Sequence, residues 1–417
     1  MLAKDGAAGD AFGWDVAIDD GILAVSAPGD DDNGTDTGSV YLYDAVSRDL
    51  LLKLLPADGQ APTDFGGAIA IGNGLVAVGA VEDSDRGFFS GSVSVFGATT
   101  GELITELYAD DGEAFDLFGT SVAIAEDVIA VGASGDSENG LNSGSVYLFD
   151  AASGAQLSKI LPADGQTGAE FGCSVAIEND ILVVGAWGND SNNGTTGSAY
   201  LFDIDTGAQL SKLQANDASS FGSFGWSVAI DDGTVAVGAL RQDGISLRTG
   251  AAYLFEANSG HQLAQLLPGD GNTWNAGFGN SVDIDSGYVV VGTDVVGAAY
   301  IFNVTTKIQV AKITPSARGV GRDYLFGSAV TIDDGVVVAG ARFNDTNGTG
   351  AGSAYLYDVE DELCPADANH DGELTAGDFT YWLFARSAGD PECDQNGDGS
   401  CTPTDFTAWI ANYNAGC

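Results

Sequence analysis

Phe118-Gly119-Thr120-Ser121-Val122-Ala123-Ile124-Ala125-Glu126-Asp127-Val128-Ile129-Ala130-Val131-Gly132-Ala133 is the stretch on which the fold turns. Two apolar runs flank a short polar turn; the first opens on Phe-Gly and the second closes on Gly-Ala. Short runs of this kind on either side of a turn read as paired strands. The same pattern starts at Phe12, Phe65, Phe118, Phe171, Phe224, Phe278 and Phe326, each followed by Gly. The repeat length is about 50 residues. In several copies Asp-Asp-Gly (19–21, 231–233 and 333–335) supplies the hairpin turn. A third strand opens on Gly-Ser/Ala-Val/Ala-Tyr, as at Gly38, Gly144, Gly197, Gly250, Gly297 and Gly352, while the copy at Gly91 lacks the aromatic. A fourth run (50–55, 157–161, 263–267) usually closes on Asp-Gly.

Four short strands per unit and seven units predict an all-β, seven-bladed β-propeller over residues 1–358. A solenoid would need capping repeats, and a sandwich does not repeat one unit seven times. The last copy lacks a fourth strand, and residues 1–6 read like the fourth-strand ending at 55–59, so the two ends are expected to complete one blade together. Residues 359–363 form a short linker, and 364–417 a second, small helical domain.

The Phe-Gly openings and Val-Gly-Ala endings resemble the FG-GAP repeats of the integrin α-subunit propeller and its bacterial relatives. That resemblance implies an extracellular adhesion or recognition module. Integrin-type copies often carry an Asp-x-Asp-x-Asp-Gly calcium loop between the first two strands; the Asp-Asp-Gly turns here are too short to wrap an ion.

The tail carries two ligand-loop patterns, Asp367, Asn369, Asp371, Glu373, Thr375 and Asp378, then Asp394, Asn396, Asp398, Ser400, Thr402 and Asp405. Each has Gly at position 6, which allows the sharp turn that lets hard oxygen ligands converge on calcium. Two calcium ions are therefore expected. Apolar residues at helical spacing follow each loop: Phe379, Trp382 and Leu383, then Phe406, Trp409, Ile410 and Tyr413. With Asp at position 12, the duplicated pattern resembles a type I dockerin, an EF-hand-like module. This implies a cohesin-like domain or cell-surface scaffold as partner. Cys364, Cys393, Cys401 and Cys417 cluster here and read as two disulfides of an oxidising compartment. Three pairings are open, of which Cys364–Cys393 with Cys401–Cys417 is preferred. Cys173 is expected to stay free, as a small strand residue rather than a nucleophile.

The 417 residues carry 14 Lys+Arg against 60 Asp+Glu, a net charge of −46, which opposes nucleic acid and anionic membranes. Apolar runs are strand-sized, so no membrane span is expected, and residues 1–6 show no signal peptide. Localisation is expected to be extracellular or at the cell surface, and the source bacterial. Nucleophile, zincin and phosphate-loop motifs do not occur, so no enzyme is expected. Acidic stretches between second and third strands (Asp30, Asp31 and Asp32; Asp83 and Asp85; Asp136 and Glu138; Asn189 and Asp190; Asn344 and Asp345) read first as solvated turns, otherwise as weak cation or ligand sites. The ligand face is expected on these loops, which vary between copies (30–37, 82–90, 240–249, 294–296), and on those entering each Phe-Gly. The favoured function is a calcium-binding recognition or adhesion protein with a polysaccharide or protein ligand. The alternative is an accessory carbohydrate-binding or cryptic hydrolase component of an extracellular polysaccharide-degrading system, for which Trp187, Trp226 and Trp274 are the candidate aromatic platform.

Overall fold

Each Phe-Gly unit folds as one antiparallel sheet. In blade 3 the strands are Phe118–Ala125, Val128–Ala133, Ser145–Asp150 and Gln156–Ile160, hydrogen-bonded in chain order. The structure, a computed structural model, describes residues 1–57, 63–189, 196–244, 247–269, 275–315 and 325–359, together with Phe379, Thr380, Trp382, Leu383, Arg386, Phe406, Thr407, Trp409 and Ile410. The chain divides into two compact units, Met1–Leu356 and Tyr357–Cys417.

The first unit is a seven-bladed β-propeller. Among the described residues six sheets have four strands and the seventh, Val330–Asp333, Val336–Ala341 and Ser353–Asp358, has three, its last strand running two residues past Leu356. The first hairpin of blade 1 turns on Asp20-Gly21, with φ of 47° and 73° and Asp19 opposite Ile22. Two successive positive φ values make a type I′ turn, which Asp-Gly favours. Innermost strands pack on the innermost strands of both neighbouring blades, and Val16–Asp19 meets both Phe65–Gly72 and Val330–Asp333, so the ring is closed.

The repeated glycines are what let blades approach. A Cβ on Gly185, in the Gly-Ala ending of blade 4, would lie 2.1 Å from the carbonyl oxygen of Gly225, in the Phe-Gly of blade 5. The same contact closes the ring, where a Cβ on Gly340 would lie 2.2 Å from Gly13 O. Both distances are far inside van der Waals contact, so any side chain would force the blades apart.

The core lies between blades. Val93, Val95 and Leu107 of blade 2 pack with Phe118, Val131, Tyr147 and Phe149 of blade 3. The Phe118 ring stands edge-on to Tyr147 and Phe149 at 5.5 and 5.7 Å. Deleting a ring from such a core costs about 3–5 kcal/mol. At the closure, Ala354 N donates to Met1 O at 3.1 Å and the Met1 amino group donates back to Ala354 O. Met1 thus faces Ala354 as Leu54 faces Val40 in blade 1. Phe12 also bridges Gly352 as a parallel pair.

In the second unit Phe379, Thr380, Trp382, Leu383, Arg386, Phe406, Thr407, Trp409 and Ile410 are helical. Trp382 and Trp409 are buried, and Phe379 lies 6.1, 5.5 and 5.2 Å from Trp382, Phe406 and Trp409. Leu383, Phe406 and Ile410, expected on the apolar faces, are exposed instead. The calcium-loop positions Asp367, Asn369, Asp371, Glu373, Thr375, Asp378, Asp394, Asn396, Asp398, Ser400, Thr402 and Asp405 lie outside the described residues, as do Tyr413 and the four tail cysteines.

Candidate functional site

Because each Phe-Gly leads into an innermost strand, the residues just after it converge on the propeller axis. They line a cavity of about 470 Å³ to which all seven blades contribute, among others through Trp14, Ala68, Ser121, Ser174, Ser227, Ser281 and Ala329. Trp187 and Arg342, the first residues after their second strands, complete the wall, so the cavity lies on the same face as the variable loops.

Three indoles shape it. Trp187 and Trp226 stand 5.6 Å apart at 57°, and Trp187 Nε1 donates to Glu170 Oε2 at 3.0 Å. The Arg342 guanidinium lies over the Trp14 ring at 4.4 Å. Burial raises the Glu170 carboxyl above its usual range, opposed by the Trp187 bond. Burial lowers the Arg342 pKa, with Asp294 acting against the shift. The Asp15 carboxyl is pushed up to about 6 by burial, although Ile69 N and Val16 N donate to it at 2.8 and 2.9 Å. Cys173 also lines the cavity; it is a free thiol that burial pushes up to about 12, which leaves it unreactive at neutral pH.

The hydroxyls differ in how they are used. Ser121 and Ser227 donate to the carbonyls of Gly172 and Gly279 at 2.8 and 3.1 Å. Ser174 and Ser281 instead accept, from Val228 N and Val330 N, both at 3.1 Å. Ser328 Oγ and Arg342 Nε are buried with no partner among the described residues.

Around the cavity, the acidic loops are only in part the solvated turns the sequence reading put first: Asp31, Asp32, Asp85, Glu138 and Asp345 are exposed. Asp30, Asp136, Asn189 and Asn344 are buried. Asp136 Oδ2 accepts from Ser145 Oγ, Tyr147 OH and Lys159 Nζ at 2.9, 3.0 and 2.9 Å. Lys159 Nζ also meets Asp111 and Glu138, each at 2.7 Å. Lys53 repeats this with Asp5, Asp30 and Asp32, whereas in blade 5 Gln265 takes the lysine's position and donates to Asp217 at 2.8 Å. Burial works to raise Asp136, but Lys159 and its other donors hold it below the usual carboxylate range; Asp30 is likewise held down by Tyr41 and Lys53. An ammonium thus sits where the carboxylates converge. Among the described residues no group of three or more His, Cys, Asp or Glu is arranged to hold a metal ion.

The loops also carry exposed aromatics. Phe115 is 57% exposed with φ of 72°, and it packs edge-on against the exposed Phe88 at 5.4 Å. Phe221 is likewise exposed at φ of 68°. Their counterparts three residues before Phe12 and Phe171 are Gly9 and Gly168, for which positive φ is free of strain.

Comparison with known protein families matches the FG-GAP repeat to residues 1–43, 51–96, 103–149, 155–202, 208–255 and 308–357, more than half of the chain. The chain belongs to the FG-GAP repeat family. No curated protein matches it. The stretch between the last two matched segments holds the first three strands of a further blade, Val282–Asp285, Tyr288–Gly292 and Ala299–Asn303, whose fourth, Gln309–Ile313, lies in the last matched segment; among the described blades its connection between second and third strands is the shortest. An FG-GAP propeller is a ligand-binding or adhesion type of scaffold, typical of extracellular proteins. Among the described residues no helix is long and apolar enough to cross a membrane. Of the candidate aromatic platform of the alternative reading, Trp187 and Trp226 come together in the wall of the cavity, and Trp274 lies outside the described residues. Trp14 was not singled out. Its signal was Trp directly after Phe-Gly in two copies, at Trp14 and Trp226.

Proposed function

We propose that this FG-GAP protein is a secreted recognition or adhesion protein, which binds its ligand in the axial cavity and on the surrounding loops without transforming it. The observation that carries the reading is the cavity itself. Seven blades converge on one concave, indole-lined site, the form that small-ligand sites take. A binding role without catalysis is supported by how its acids are employed: Asp15 accepts two backbone N–H bonds and Glu170 holds Trp187.

The same reading makes the C-terminal unit a dockerin-like anchor that carries two calcium ions and attaches the protein to a cohesin-like domain or cell-surface scaffold. Its loop residues offer carboxylate, amide and hydroxyl oxygens, a hard donor set that suits calcium. The aromatic packing of Phe379 on Phe406 and Trp409 is what two loop–helix units sharing one core would give. Calcium would neutralise the loops and order them.

Two measurements on the full-length protein test this. Calorimetry should count two calcium ions per chain, falling to one in Asp371→Ala or Asp398→Ala, and no binding at millimolar calcium would end the anchor reading. Labelled protein should be captured by extracellular polysaccharide or surface-protein preparations and lose capture in Trp226→Ala; undiminished capture would move the site away from the axis. Turnover of a polysaccharide would overturn the binding-only role.

A further inference from the structure

We infer that the axial cavity is built for an uncharged sugar, held by its ring faces against the indoles and by its hydroxyls against the serine wall. The inference rests on the reading of this cavity as the ligand site and adds the chemistry of the ligand. At about 470 Å³ the cavity falls in the range of small-molecule sites, about 300–1,000 Å³.

The hydrogen-bond inventory of the wall is mixed. A serine hydroxyl has one proton to give and two lone pairs to offer. Ser121 and Ser227 have given theirs to carbonyls and present lone pairs. Ser174 and Ser281 have accepted from backbone N–H groups, and among the described residues no acceptor takes their protons. Ser328 Oγ has neither role filled although Ser328 is only 8% exposed, and Arg342 Nε is a donor without an acceptor. A ligand satisfying this wall must both donate and accept at several points, which sugar hydroxyls do and most other small groups do not.

Other ligand classes fit worse. A purely apolar ligand would strip water from the half-buried Ser174 and Ser281 and leave their hydroxyl protons without acceptors, at the cost of desolvating them. Among the described residues an anion would find one cation in the wall, Arg342, already faced by Asp294, and would meet Asp15 and Glu170 there. The net charge of −46 opposes its approach as well. A cation would have to draw Asp15 and Glu170 away from Ile69, Val16 and Trp187. The indoles supply the remaining feature, since the C–H face of a pyranose packs on a flat apolar ring while its edge stays polar.

The test is titration of the full-length protein, by calorimetry and by tryptophan emission, with neutral tetrasaccharides of glucose, xylose, mannose, galactose and N-acetylglucosamine, and with tetragalacturonate as the charged probe. At least one neutral sugar should bind one to one, perturb the emission, and exceed tetragalacturonate in affinity. Ser328→Ala, which removes one oxygen, and Arg342→Gln should each weaken it about tenfold at an unchanged thermal midpoint, and Trp226→Ala should weaken it more. The inference is overturned if no neutral probe binds, if tetragalacturonate binds as tightly, or if the three variants bind like the parent protein. Capture of surface proteins lost in Trp226→Ala, with no sugar bound, would sink this inference and leave the recognition reading standing. Absence of both would sink both.

Discussion

Lys159 shows how one side chain does several tasks. Its ammonium joins Asp136 and Glu138 of its own blade to Asp111, which follows the last strand of the preceding blade, so it fastens two blades together. Lys159→Met leaves the Asp136 carboxylate buried without its counter-charge, and removing one partner of a buried pair costs about 3–5 kcal/mol. Urea denaturation should show a loss of about 3 kcal/mol at pH 7, shrinking toward pH 4 as Asp136 takes up a proton; a loss independent of pH would mean that packing, not charge, is what Lys159 supplies. The network could not be read from the sequence. Asp111, Asp136, Tyr147 and Lys159 are far apart in the chain, and only the pairing of Tyr147 with Lys159 and the abutment of blades bring them together. Phe115 illustrates the opposite case, since a bulky residue at positive φ is an outlier whose strain no burial repays.

Strands were legible where side-chain chemistry is local. The Phe-Gly spacing, the Asp-Gly turns and the Gly-Ala endings mark the hairpins, and the register follows from the turns. What the innermost strands do to one another was not legible, because it depends on their crowding round an axis. Asp15, Asp283 and Asp333 are each pushed up to about 6, first by burial; Asp283 adds to the shift at Asp15, Asp285 to that at Asp283, and Asp285 and Asp19 to that at Asp333. Groups whose pKa is higher in the folded state than the ordinary 3.8 bind more protons folded than unfolded between about pH 4 and 6, so stability falls as pH rises through that window. Asp30 and Asp136 are shifted the other way, and their contribution is lost below the ordinary carboxylate range. The thermal midpoint should therefore rise from pH 7.5 to pH 5 and turn over near pH 4. A midpoint that falls steadily below pH 7 would contradict this.

At the scale of the molecule, counting copies sufficed to give the number of blades. The cavity needed more, since residues about 53 apart in sequence meet only once the ring is shut. That shutting joins Ala354 to Met1 across 353 residues. Until it happens, blades 1 and 7 each present an unpaired face, and a second copy can supply the partner as readily as the chain's own end. Refolding from urea at rising protein concentration should shift the product from monomer to ring-exchanged dimer by size-exclusion chromatography, and product that stays monomeric at every concentration would show that the closure is made before chains meet. The same separation sets a clock during biosynthesis. Translation adds about 5–20 residues per second, so the beginning of the chain waits roughly 20–70 s for the segment that completes it. Over that interval the edge at Met1 has no partner in its own chain, although the sheet of blade 1 pairs entirely within residues 16–54.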